Sequence, residues 1–279
     1  ARTAMAAPTM SQSVDAASGG PFELIRHPAP AGLENLVIDV TGYRERGLPP
    51  ATQVEAASLT VPLVVSFGEP FEIALSREPR GGDRFGSFAA GLCAGPAMIR
   101  SGGAAHCMQV NFTPPGAFRF FGLPMHALAD RMVEIDDLED APLRALRERL
   151  GEARDWAVRF ALVEAFLRAR LGQGRPVSAA TEWAYGRIVA TGGRARVTQI
   201  AARLDWSRKH LAARFRDEIG LTPKAVARIA RFTRARTLAA AGSEAGWADI
   251  AAACGYADQA HLAREFREFS GTTPAAWLR

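Results

Sequence analysis

Two stretches near the carboxyl end decide how this chain is read: Ile200-Ala201-Ala202-Arg203-Leu204-Asp205-Trp206 and Ile250-Ala251-Ala252-Ala253-Cys254-Gly255-Tyr256. They align at an offset of 50, and beyond them Leu211, Phe215, Gly220, Thr222 and Pro223 align with Leu262, Phe266, Gly271, Thr273 and Pro274 at an offset of 51. Each copy therefore reads as a helix, a turn and a second helix, with one extra residue in the second copy's turn. Ser207 and Asp258 are suited to cap the second helix of each copy. Leu211 with Phe215, and Leu262 with Phe266, stand four apart and mark one inward face. Gly220 and Gly271 fall where each helix should stop. The spacing predicts two helix-turn-helix units, about residues 196–220 and 247–271.

Between them Thr222-Pro223 supplies a cap and a first-turn proline for a connecting helix reaching about Ala241, with Val226, Ile229, Ala230 and Leu238 inward. About 20 residues of helix span roughly 30 Å, close to the ~34 Å of one DNA turn. Two second helices so spaced would enter successive major-groove segments. Lys224, Arg228, Arg231, Arg234 and Arg236 decorate the connector and could meet phosphates, be solvated or be paired within the protein.

Charge follows the same division. Residues 181–279 hold 16 Arg/Lys against 9 Asp/Glu, a net of +7, whereas residues 1–180 hold 18 against 20, a net of −2, which together give the chain's +5. A basic part joined to a mildly acidic one is expected when only one of them meets nucleic acid. Only Lys209 and Lys224 are lysine, so a lone arginine in this composition says little.

Upstream the periodicity differs. Residues 1–20 read as a small, polar, flexible tail without the basic and apolar regions of a signal peptide, and the leading Ala as a removed initiator Met or a truncated start. Residues 21–135 carry short β-branched and aromatic segments (Leu36–Val40, Val61–Phe67, Phe71–Leu75, Phe85–Cys93, Ala97–Arg100, Cys107–Phe112) punctuated by Pro and Gly, as in a sandwich or small antiparallel barrel. Thr113-Pro114-Pro115 is a helix start. Residues 136–175 read as two helices, one with Leu138, Leu143, Leu146 and Leu150, the next with Trp156, Phe160, Val163, Phe166 and Leu167; they could serve as dimerisation helices. Gly172-Gln173-Gly174-Arg175-Pro176 is the linker, and residues 176–279 are all-helical. The fold class is thus α+β: an N-terminal cupin-like antiparallel β-barrel or sandwich with following helices, and a C-terminal all-α double helix-turn-helix. No apolar run is long enough for a bilayer.

Residues 196–279 resemble the DNA-binding domain of the AraC/XylS family of bacterial transcription regulators. The resemblance rests above all on Ile250-Ala251, Gly255-Tyr256-Ala257-Asp258-Gln259-Ala260-His261-Leu262-Ala263-Arg264-Glu265-Phe266-Arg267 and Gly271-Thr272-Thr273-Pro274. The stretch Met108–Phe118 with Leu123-Pro124-Met125 is similar to the sensor part of some members. The resemblance implies an effector-responsive transcription regulator, commonly an activator, cytoplasmic and bound at the nucleoid. Its partners would be double-stranded DNA, RNA polymerase, a small-molecule effector whose binding residues are unknown, and a second copy of the chain.

With Leu211 and Phe215 inward, Arg208, Lys209, Ala212, Ala213 and Arg216 form the first DNA-facing surface; Gln259, Ala260, Ala263, Arg264 and Arg267 form the second. Arginine matches guanine, glutamine matches adenine, and alanine can touch a thymine methyl. Arg264 and Gln259 are the leading base readers, Lys209 and Arg208 next; Arg216 and Arg267 fit phosphates. The chain departs from the family twice: Asp205 stands where Gly is usual, a change the left-handed conformation tolerates, and Ala213 stands where Arg is frequent, which predicts weaker reading by the first unit.

An enzyme of the cupin type fused to a DNA-binding domain is disfavoured, because His27, His106, His126, His210 and His261 form no His-x-His set. No catalytic residues, metal site or cofactor are expected. Cys93 and Cys107 would be a redox pair only if neighbouring strands joined them; buried apolar roles are commoner. A barrel that binds a protein is the remaining alternative to a sensor.

Overall fold

The computed structural model describes residues 20–241 and 246–278; the expected flexible tail lies outside the described residues, apart from Gly20. Among the described residues nine strands come before the first helix and a tenth after it: β1 (Phe22–Pro28), β2 (Val37–Glu45), β3 (Ala51–Glu55), β4 (Val61–Ser66), β5 (Phe71–Leu75), β6 (Arg84–Phe85), β7 (Phe88–Ala90), β8 (Ala97–Ser101), β9 (His106–Phe112) and β10 (Met132–Glu134). They form two antiparallel sheets, ordered β1-β2-β9-β4-β7-β10 and β3-β8-β5-β6. The segment expected as a single strand, Phe85–Cys93, is divided between them. At Gly86-Ser87 the chain leaves the smaller sheet for the larger, pinned where Ser66 N donates to Ser87 Oγ at 2.9 Å and Gly86 N donates to Glu134 Oε1 at 2.9 Å.

Strands β4 and β9 are covered on both faces, so neither has an exposed residue. Val61, Leu63 and Val65, with Met108, Val110 and Phe112, face the helical side. Pro62, Val64, Gln109 and Asn111 line a cavity between the sheets. His106 and Cys107 likewise part company: His106 meets Trp156 edge-on at 5.3 Å, and Cys107 joins Leu24, Tyr43 and Phe88 in the inter-sheet core. Cys93 and Cys107 are both free thiols. Burial pushes Cys107 up to about 12 and Cys93 to about 11, and no redox pair forms between them.

The larger sheet's outer face is covered by α1 (Pro114–Phe121), α2 (Ala141–Glu152) and α3 (Trp156–Gln173). Thr113 and Asp140 cap α1 and α2, accepting from Gly116 N and Leu143 N. Gly42 is required where α3 crosses β2, since a Cβ there would sit 2.7 Å from the Trp156 ring. After the linker come α4 (Ala179–Ala190), α5 (Val197–Arg203), α6 (Arg208–Glu218), α7 (Pro223–Ala240), α8 (Trp247–Cys254), α9 (Gln259–Ser270) and α10 (Pro274–Trp277). One apolar cluster runs from the sheet through Phe118, Met125 and Leu128 to Leu211, Ile219 and Leu221, so the C-terminal helices are packed onto the β-rich part. No described helix is long and apolar enough to cross a membrane.

Candidate nucleic-acid interface

The two copies fold alike. Trp206 N donates to Ala201 O and Tyr256 N to Ala251 O, each at 2.9 Å, closing the turn after α5 and α8. The turn needs a left-handed residue. Gly255 supplies it at φ 78° and Asp205 at φ 53°, so the departure at Asp205 keeps the turn. Ser207 Oγ then accepts from His210 N at 3.1 Å, and Asp258 Oδ1 from His261 N at 2.6 Å, capping α6 and α9. The capped histidines buttress the turns: His210 stands edge-on to Trp206 at 4.5 Å and His261 edge-on to Tyr256 at 5.2 Å.

Leu211, Phe215, Leu262 and Phe266 are buried. Their burial leaves Arg208, Lys209, Ala213 and Arg216 exposed on α6, with Ala212 half-buried beside them. On α9 Gln259, Ala260, Arg264 and Arg267 are exposed and Ala263 is half-buried. Those ten residues thus divide five and five between two solvent-facing strips at matching positions of the repeat. None of their four exposed arginines takes part in an ion pair among the described residues, which leaves those guanidinium forks available to phosphate or base edges.

The connector behaves differently. Arg228 Nε donates to Glu265 Oε1 at 2.7 Å and its NH2 group to Glu268 at 2.5 Å. Arg231 lies 3.6 Å from Glu265 and over the Tyr256 ring. These carboxylates hold the Arg228 guanidinium well above its ordinary pKa. Arg236 points toward the β-rich part, stacked on Phe232 and Trp277. Of the five basic side chains on α7, only Lys224 is exposed. Arg228, Arg231 and Arg236 therefore serve internal packing.

Two buried carboxylates were not singled out from the sequence. Glu218 accepts from Arg214 and, at 2.9 Å, from the Ser178 hydroxyl that caps α4; Glu265 gathers Arg228, Arg231 and His261. Their spacing carried a signal, since Glu218 follows Phe215 by three and Glu265 follows Leu262 by three, on the inward stripe. Both recognition-type helices also end against the β-rich part. The C-terminal end of α6 meets the turn at Met125, where Gly220 lies close, and Phe269 O of α9 accepts from Ala57 N at 2.8 Å.

The inter-sheet cavity encloses about 320 Å³. Val64, Ile73, Phe88, Ile99 and Met132 form its apolar wall, whereas Arg26, Asp39, Asn111 and Glu55 stand toward α7, whose Arg236 completes the lining. Burial raises the Glu55 pKa, opposed by Arg236 and Arg26, and burial lowers that of Arg236.

Residues 200–279 match the family model for the helix-turn-helix domain. The chain thus carries a helix-turn-helix domain in its carboxyl-terminal part. It is a DNA-binding transcription regulator. Among solved structures, ToxT from Vibrio cholerae is similar at 12% identity, covering 83% of this chain and 98% of ToxT, with a TM-score of 0.44. ToxT with a bound unsaturated fatty acid gives 10%, 84% and 96%, with a TM-score of 0.43. A probable AraC family regulator from Rhodopseudomonas palustris gives 25% identity over 36% of this chain and 95% of its own, with a TM-score of 0.34. No curated protein matches the sequence.

Proposed function

We propose that this regulator is sequence-specific and effector-responsive, reading two successive major-groove segments with α6 and α9. The observation that carries the reading is the repeat: two capped helices, each with a buried Leu/Phe stripe and an exposed basic strip opposite it. The connector α7 has 18 residues and spans about 27 Å, of the order of a DNA turn. Arg264 and Gln259 read base edges, with Lys209 and Arg208 the next contributors; Arg216 and Arg267 hold phosphates, and Ala212, Ala213, Ala260 and Ala263 allow close approach. The β-rich part holds the effector in its inter-sheet cavity, whose lining includes Arg236 of α7. The regulator acts in the cytoplasm, with RNA polymerase and a second copy of the chain as further partners, and catalyses no reaction. Selection of a binding site from random duplexes, followed by footprinting, tests this. A sequence-independent pattern with wild-type protein would refute it.

A further inference from the structure

The rows of the two sheets order the cavity by depth. On the larger sheet Asp39, Asn111 and Pro62 pair across β2, β9 and β4, and the next inward row holds Gln109, Val64 and Phe88. On the smaller sheet Glu55, Ala97 and Leu75 pair across β3, β8 and β5, followed by Ile99 and Ile73. Charged groups gather at the α7 end, and the wall beyond them is chiefly aliphatic and aromatic. An occupant must therefore have an apolar body and a polar head directed at α7.

The rim decides the kind of head. Arg26 and Arg236 balance Asp39 and Glu55, so the lining has no net charge with all four ionised. Asp39 is already served: it accepts from Asn111 Nδ2 at 2.7 Å and Thr41 Oγ1 at 3.3 Å, and Arg26 lies 3.9 Å away. Gln109 donates to Asn111 at 2.8 Å. Glu55 and Arg236 are different. Glu55 Oε1 and Arg236 Nε are buried and lack a hydrogen-bond partner among the described residues, and the two side chains are not in ion-pair contact. One needs a donor and the other an acceptor, and burial makes leaving either unmet costly. A carboxylate head would satisfy Arg236 but place a second negative charge beside Glu55; an ammonium head would do the reverse.

We propose that the cavity selects a neutral amphiphile whose head offers a donor and an acceptor on adjacent atoms, the class of the aliphatic primary carboxamides. The amide nitrogen donates to Glu55 and the amide oxygen accepts from Arg236. The head is thus shared between β3 of the sensor part and α7 of the DNA-binding part, and its arrival is felt on the helix that joins the two recognition units. The proposal rests on the effector-sensing reading above.

Calorimetric titration of the full chain with octanamide, octanoate and octylamine tests it. Octanamide should bind at least about tenfold more tightly than either ion, the difference expected of hydrogen bonds to charged groups. In Glu55→Gln the carboxylate is gone, and octanoate should overtake octanamide. Should that variant unfold, Arg236→Gln supplies the mirror arm, in which octylamine gains instead. Ile99→Trp, which fills the wall, should abolish octanamide binding. Equal affinities, preference for either ion in the wild type, an unchanged order in the folded charge variant, binding retained in Ile99→Trp, or no binding of any of the three would each overturn the assignment. Footprinting of the unliganded wild type separates the two failures: loss of the ligand class leaves the protected sequence intact, whereas loss of the regulator reading removes it.

Discussion

In the first helix-turn-helix unit the buried carboxylate is Glu218, at the end of α6, and it ties that helix back to Ser178 at the start of α4. In the second it is Glu265, in the middle of α9, and it ties that helix to Arg228 and Arg231 of the connector. The turns, caps and apolar anchors repeat; the polar anchors do not. The exposed strips differ too, because Ala213 of α6 stands at the repeat position that Arg264 holds on α9. One scaffold thus carries two helices with different supports and different exposed side chains. The first is set by its tie to the start of α4, the second by its tie to the long connecting helix.

The comparison can be broken most forcefully at the shared anchors. Phe215→Ala and Phe266→Ala should each destabilise the chain by about 3–5 kcal/mol, the usual cost of emptying a buried aromatic site, read from denaturant midpoints. A much smaller loss at one would show that its unit is not packed as its twin is. Removing the carboxylates sharpens the contrast. Glu265→Ala should cost about 2 kcal/mol, less than for a fully buried pair because Arg228 and Arg231 are partly exposed, and should disturb protection by the second unit only. Glu218→Ala should disturb the first. Equal disturbance of both segments by either variant would remove the distinction between the supports.

The caps test the likeness itself. Ser207→Ala and Asp258→Ala should each cost about 1 kcal/mol, measured by thermal unfolding. A clear inequality would mean that one turn is held by something other than its cap.

A pH-dependent effect concerns the sheet–helix seam, as a contrast to the helical units. Burial, with Arg159 and Arg44 nearby, lowers the His106 pKa from 6.5 to about 4. The unfolded chain takes up that proton near pH 6.5 and the folded chain only near 4, so stability falls as pH drops through this window and levels off below it. His106→Asn should flatten that part of the stability-versus-pH curve. An unaltered slope would assign it to other groups.

The helical domain was legible because its signals are local. The caps Ser207 and Asp258, the stops and the four-residue spacing of Leu211 and Phe215 all act within one or two turns of chain. The sheets were partly legible. Strands such as Phe71–Leu75 announced themselves, but β1, β3 and β10 mix charged and apolar residues, and their identity comes from partners distant in sequence. The crossing at Gly86-Ser87 had no signature, since Ser87 acquires its role only from Ser66. The arginines of α7 are the clearest case of charge not fixing place: the sequence leaves Arg228 and Arg236 open to phosphates, solvent or internal partners, and the approach of α9 and of the sheets makes the partners internal. The cavity at Glu55 and Arg236 is wholly a product of tertiary packing.

The claim that two unlike units read successive stretches of one duplex face is tested most directly by footprinting Arg264→Ala beside the wild type on a selected binding site. The wild type should protect two segments about one helical turn apart. The variant should lose base preference in one segment by a factor corresponding to about 1–3 kcal/mol while the other remains protected. An unchanged two-segment footprint, or simultaneous and equal loss of both, would contradict the division of labour drawn here.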